Sequence, residues 1–242
     1  MKSIIITGAS SGIGRTVAEK FLAEGWTVGL IARREQALHD VAGDHANAHV
    51  LPCDVTNADA VEQAFASFAR VSPQLDVLFN NAGIFTDPAP IDEIPVQDWL
   101  DAVNVNLTGM FLCARAAFGA MRHQSSQGGR IINNGSVSAH TPREGSVTYT
   151  TTKHGVSGLT KTLALDGRPF GIACGQIDIG NAESPMINAI AQRNADAGLP
   201  PPPMIEASLV ADAIWTMANL PLTANTLFQT LMATQMPFVG RG

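Results

Sequence analysis

Short apolar runs alternate with stretches of helical periodicity from end to end of this chain, and that rhythm points to one architecture. The runs lie at 3–7, 27–31, 48–52, 77–80, 130–133, 171–177 and 226–232. They are rich in Ile, Val and Leu, as strands buried on both faces are. Between them the period lengthens to that of a helix, at 13–23, 34–42, 58–69, 96–124, 150–165 and 209–220. The 96–124 stretch is expected to break near 104–107. Asn57 before Ala58 and Ser208 before Leu209 read as helix caps. Such alternation specifies an α/β fold, a parallel sheet covered by helices on both faces. The run Gly198-Leu199-Pro200-Pro201-Pro202-Pro203 cannot lie inside a helix. It falls between two helical patterns and reads as part of a surface loop or lid, because too few residues follow to build a second core.

Bulk properties exclude several classes of function. A chain of 242 residues with 45% hydrophobic content can bury a sizeable core. A formal net charge of −6 with no basic block argues against a nucleic-acid or anionic-membrane partner. Cys53, Cys113 and Cys174 have neither metal spacing nor a Cys-x-x-Cys pair, so buried free thiols in a reducing compartment are expected. The first apolar run is too short for a signal peptide, and none approaches the ~20 residues of a membrane span. The expectation is a soluble cytoplasmic protein without a metal site.

The motifs fall at the ends of the expected strands. Thr7-Gly8-Ala9-Ser10-Ser11-Gly12-Ile13-Gly14 follows the first strand and opens the first helix. Glycines allow the backbone to turn tightly and approach a phosphate, and the helix start behind them carries partial positive charge. The spacing is a variant of the dinucleotide fingerprint; a plain strand-to-helix loop is the other reading. The second strand ends Ala32-Arg33-Arg34. An acid there would meet the ribose of NAD, whereas arginine accommodates the 2′-phosphate of NADP. Asp54-Val55 follows the third strand, and Asn80-Asn81-Ala82-Gly83 follows the fourth. Asp54 suits either an adenine amino group or a helix entry. Asn81, Ala82 and Gly83 offer a backbone approach to a ribose.

Tyr149, the only tyrosine, stands four residues before Lys153 and thirteen after Ser136. Positions four apart share a helix face, so a phenol and an ammonium sit side by side with a hydroxyl near both. A free tyrosine ionises near ~10 and is a poor base at neutral pH; a neighbouring cation favours the phenolate. The group suits proton transfer at an alcohol or carbonyl oxygen.

In this order and spacing, from Thr7 to about Met186, the chain resembles the short-chain dehydrogenase/reductase family. The resemblance implies a single Rossmann-like doubly wound domain over 1–242, with a seven-stranded parallel sheet and a substrate loop at about 184–206. It implies hydride transfer between nicotinamide and a small or medium carbonyl or secondary alcohol. By position, Tyr149 would be the general acid/base, Ser136 would hold the substrate oxygen, and Lys153 would bind the nicotinamide ribose and favour the phenolate. Asn106, in Asn104-Val105-Asn106-Leu107-Thr108-Gly109, matches the family's helix-breaking asparagine, which holds a relay water. With Arg33 and Arg34, the expected cofactor is NADP (NADPH) in preference to NAD. A homodimer or homotetramer is implied, through the helices containing 111–121 and 156–165.

The match departs from the family after the sixth strand, where Pro-Gly and a threonine four residues beyond the glycine are usual. Ile177-Asp178-Ile179-Gly180-Asn181-Ala182-Glu183-Ser184 keeps Gly180, replaces the proline by Ile179 and the threonine by Ser184. A serine hydroxyl can still reach a phosphate or carboxamide, so Gly180, Ala182 and Ser184 join the expected cofactor residues. Asp178 adds a carboxylate without an assigned role. The ending Leu231-Met232-Ala233-Thr234-Gln235-Met236-Pro237-Phe238 is faintly similar to the 3-hydroxy-acid or serine dehydrogenase branch. Its apolar residues suggest a tail packed on another subunit. Phe85, His140, Arg143 and the segment 184–204 are expected to set substrate choice. The rivals are a non-catalytic NADP(H)-binding sensor or regulator and a structural subunit that keeps the fold for assembly.

Overall fold

A computed structural model describes residues 1–239; residues 240–242 of the expected domain lie outside the described residues. The strands are β1 (Ser3–Thr7), β2 (Thr27–Ala32), β3 (Ala48–Pro52), β4 (Val77–Asn80), β5 (Gly129–Asn134), β6 (Ile172–Ile179) and β7 (Phe228–Leu231). They form one seven-stranded sheet in the order β3-β2-β1-β4-β5-β6-β7, and every neighbouring pair is parallel. The helices are α1 (Gly12–Ala23), α2 (Glu35–Ala42), α3 (Ala58–Val71), α4 (Val96–Val103), α5 (Met110–His123), α6 (Val147–Asp166), α7 (Pro185–Asp196) and α8 (Ala207–Asn219).

The pleat of β1 divides the core. Ile4 and Ile6 face one cluster with Val17 and Phe21 of α1, Leu38 of α2 and Ile214 of α8. Ile5 points the other way, to Phe65 and Phe68 of α3 and Cys113 and Met121 of α5. All three isoleucines are fully buried, each contributing roughly 1.5–3 kcal/mol. The unbroken Ile-Ile-Ile run is therefore the signature of a strand with a core on each side. Strand order reverses between β1 and β4, and a doubly wound sheet opens a crevice at the carboxyl ends of its strands there.

Several expectations need correction. Asn57 caps α3, accepting the Ala60 N–H at 3.0 Å, but Ser208 is no cap: α8 begins at Ala207 with Glu206 in the cap position. The Ser208 hydroxyl donates to the Glu206 carboxylate instead. The expected break near 104–107 is a π-helical stretch, Asn104–Gly109, that joins α4 to α5. The helix carrying Tyr149 starts at Val147, which places the tyrosine in its first turn. The apolar tail also packs on its own chain: Ala233 and Met236 are buried against Val137, with Met232 and Phe238 alongside. Val137 emerges apolar at the end of the sheet, and the tail lies close enough to cover it.

All three cysteines are free and buried. Burial raises each thiol, Cys53 to about 11 with help from the Asp54 charge, Cys174 to about 12, and Cys113 as well. Since the thiolate is the reactive form, a chromogenic disulfide reagent at mild alkaline pH should find no fast thiol in the native protein. All three should react together in denaturant, and one fast native thiol would contradict this account. Among the described residues no helix is long and apolar enough to cross a membrane.

Candidate active site

The crevice holds a cavity of about 380 Å³ at the ends of β1, β4 and β5. Its floor is tied by Thr7 and Asn81. The Thr7 hydroxyl oxygen accepts the N–H groups of Asn81 (2.8 Å) and Ala82 (2.9 Å). Asn81 Nδ2 donates back to the Thr7 carbonyl at 2.9 Å, and Asn81 Oδ1 accepts from Asn134 Nδ2 at 2.8 Å. One asparagine thus holds three strand ends in register.

The glycine turn rests on this floor. Gly8 has φ +68°, and a Cβ there would come within 3.0 Å of Ala82 Cα. A Cβ on Gly14 would run into the Gly8 carbonyl. The missing side chains let α1 start directly at the cavity. Ser11 occupies the cap position but makes no side-chain cap bond, so the first-turn N–H groups keep their capacity for an anion. Ser10, Ser11, Gly12 and Ile13 line the cavity, as do Arg33 and Arg34. Arg34 Nη2 donates to Ser10 Oγ at 3.3 Å, which brings the second-strand arginines to the phosphate turn. Asp54 and Val55 line the same end. The Asp54 carboxylate accepts the Thr56 N–H and hydroxyl at 3.0 and 2.8 Å. Those bonds, the backbone one first, and the nearby Arg33 charge hold its carboxyl below the usual range against partial burial. It serves the helix entry, and it also faces the cavity.

Ser136, Tyr149 and Lys153 line the other end. Lys153 is buried, and its Nζ donates to the Asn134 carbonyl at 2.7 Å. The same ammonium lies 5.4 Å from the Tyr149 ring centroid. Phe85 packs edge-on against that ring at 5.2 Å. Ser136 Oγ accepts the Ser138 N–H at 3.1 Å, so its own hydrogen remains to be donated. Ser138 is buried and lines the cavity too.

Of the expected site residues, Gly14 and Asn106 stand behind the cavity wall. Asn106 lies on the π-helical stretch, fully buried, and Val105 takes the lining position. Its side chain grips the Ile84 backbone, accepting the N–H at 2.7 Å and donating to the carbonyl at 2.9 Å. Asn81, Ala82, Gly83, Gly180, Ala182 and Ser184 all line the cavity. Ser184 caps α7 by accepting the Ile187 N–H at 3.3 Å, and its hydroxyl hydrogen stays available. Pro185, Met186, Ile187 and Ile190 line the mouth, and Arg193 further along α7 pairs with Asp87 at 2.6 Å.

Sequence reasoning missed Asn134 and Asn181 here, and placed His140 differently. Asn134 lines the cavity, and its buried Oδ1 lacks a partner among the described residues. Asn181 receives Arg143 Nη2 at 3.0 Å. His140, expected at the substrate mouth, instead turns its Nε2 to Asp178, 2.7 Å away. Only the position of Asn134 at the carboxyl end of a strand could have pointed to it. The uncapped helix start, the glycine cradle, the arginine pair and the orphan amide oxygen together fit a dinucleotide.

This fold and site define a dinucleotide-binding α/β protein with a serine, a tyrosine and a lysine at the far end of the same cavity. Comparison with known proteins agrees: the short chain dehydrogenase family profile matches residues 2–195. A 3beta-hydroxysteroid dehydrogenase of Mediterraneibacter gnavus is 35% identical over 192 residues, covering 76% of this chain and 67% of that protein. A serine 3-dehydrogenase of Agrobacterium fabrum is 31% identical, covering 98% and 96%. Among solved structures, a 3-ketoacyl-(acyl-carrier-protein) reductase from Brucella melitensis complexed with NADH superposes with TM-score 0.86 at 25% identity, covering 96% of each chain. The chain belongs to the short-chain dehydrogenase family, and is an oxidoreductase with an NAD(P)-binding Rossmann fold.

Proposed function

We propose that this protein is an NADP(H)-dependent oxidoreductase that interconverts a small or medium carbonyl and its secondary alcohol. One observation carries the reading: a single cavity brings the uncapped start of α1 and the Arg33–Arg34 pair together with Ser136, Tyr149 and Lys153. We take residues 1–242 as one domain with 184–206 as its substrate loop.

When bound, the nicotinamide supplies or takes up the hydride. The side chains handle the oxygen. Reduction builds negative charge on the carbonyl oxygen, and the Ser136 hydroxyl donates a hydrogen bond to it. Tyr149 delivers the proton, and takes it back in the oxidative direction. Lys153, tied to the Asn134 carbonyl, sets its Nζ 5.4 Å from the centre of the Tyr149 ring and stands ready to bind the nicotinamide ribose. Asn106 fixes the Ile84 segment of the wall and stands where the family's relay asparagine stands.

Arg33 and Arg34 select the cofactor. A charge-assisted bond from guanidinium to a 2′-phosphate is worth about 1.5–3 kcal/mol. Arg34→Ala should therefore raise KM for NADPH by roughly ten- to a hundredfold and leave KM for NADH unchanged. Equal efficiency of NADPH and NADH in the native protein would contradict the NADP assignment.

Relatives named for an oxygen function at a third carbon include the serine 3-dehydrogenase and a 3-oxoacyl-[acyl-carrier-protein] reductase of Aquifex aeolicus. They direct the first assay. Purified protein should consume NADPH with at least one of propanal, butane-2,3-dione, acetophenone and 3-oxobutanoate. Tight NADPH binding without consumption on the whole panel would favour a regulator.

A further inference from the structure

Asp178 is fully buried on β6, one strand from the sheet edge, and the proton-transfer scheme above makes no use of it. A buried carboxylate is costly unless donors surround it, and here three do. Oδ1 accepts the Ser136 N–H at 3.0 Å and Gln176 Nε2 at 2.6 Å. Oδ2 faces His140 Nε2 at 2.7 Å. A carboxylate only accepts, so Nε2 carries the hydrogen.

The positions of these donors matter more than their number. Ser136 and His140 flank the 3-10 turn Val137–Ala139, as its first and last caps. One carboxylate therefore grips both ends of the turn that carries Ser136. Gln176 extends the grip to the helix that carries Tyr149 and Lys153. Its Nε2 also donates to Ser157 at 3.0 Å, and its Oε1 accepts the Thr160 hydroxyl at 3.0 Å, both residues on α6. The backbone is drawn close around the carboxylate. A Cβ on Gly135, the residue before the serine, would collide with Asp178 Oδ1 and Gln176 Nε2.

We propose that Asp178, with His140, is a positioning residue that holds the Ser136 hydroxyl in register with Tyr149. The proposal rests on the reading of Ser136 as the group that holds the substrate oxygen. Removing the His140 donor frees one end of the turn while Ser136 itself stays intact, and small misplacements of a catalytic donor are costly.

The His140 ring is 42% exposed, so its replacement spares the core. His140→Ala should lower kcat on the fastest carbonyl of the panel by about ten- to a hundredfold. NADPH Kd, read by fluorescence, should stay near wild type, while Tm falls modestly because the buried carboxylate loses one donor. His140→Gln, whose amide can donate to Asp178, should recover most of the rate. In the Ser136→Ala background, His140→Ala should cost nothing further, because it acts through a hydroxyl already gone. Wild-type kcat in His140→Ala, no rescue by glutamine, or independent multiplication of the two losses would each overturn the clamp. A silent Ser136→Ala would overturn the reading of Ser136 and the clamp with it. A slow Ser136→Ala beside a silent His140→Ala overturns the clamp alone.

Discussion

Tyr149→Phe is expected to lower kcat by about a hundred- to ten-thousandfold, the usual range for loss of a general acid/base. That loss corresponds to roughly 2.7–5.4 kcal/mol of barrier. The substitution removes one oxygen and nothing else. The ring still packs against Phe85 at 5.2 Å, and Lys153 keeps its bond to the Asn134 carbonyl. NADPH Kd and Tm should therefore hold, and the loss should fall on kcat. No other phenol exists in the chain to substitute for it. A parallel fall in NADPH binding would mean that Tyr149 serves the cofactor instead of the proton.

Ser136→Ala should cost about a hundred- to a thousandfold in kcat, the scale for removing one donor to a developing oxyanion. Ser138→Ala is its control. Both hydroxyls are buried beside the cavity, so location alone does not separate them. The hydrogen bonding does: the Ser138 backbone N–H points at Ser136 Oγ, which occupies one lone pair and leaves the Ser136 hydrogen for the substrate. The thirteen-residue spacing to Tyr149 selects the same serine. Ser138→Ala should stay within about tenfold of wild type, and equal losses in the two variants would contradict the assignment.

What the sequence revealed follows from how far each feature reaches along the chain. The β1–turn–α1 unit was legible because its signals are local: an apolar run, glycines where a Cβ would clash, and a helix behind them. The Tyr149–Lys153 pair was legible for the same reason, as two residues one helical turn apart. The hydrogen bonds of Asp178 to His140 and Ser136 cross 38 and 42 residues. No local pattern announces a bond that only strand order creates, so His140 was expected at the mouth when its ring is turned to a buried acid. Asn134 escaped because a polar residue ending a buried strand has no period to mark it. The π-helical stretch read as a break because its asparagines and glycine weaken the helical signal while its hydrogen bonds persist in a wider turn. The contact of the C-terminal segment with Val137 was not legible, because apolar residues indicate burial without naming the surface that covers them.

We propose that one cavity carries out hydride transfer with Tyr149 moving the proton. The most direct measurement is NADPH consumption by the wild-type protein and Tyr149→Phe in parallel across the carbonyl panel, with NADPH Kd determined for both. Wild type should turn over at least one carbonyl, the variant should lose that turnover, and both should bind NADPH equally. Turnover that survives the loss of the phenol, or NADPH bound by both proteins and consumed by neither, would contradict this proposal.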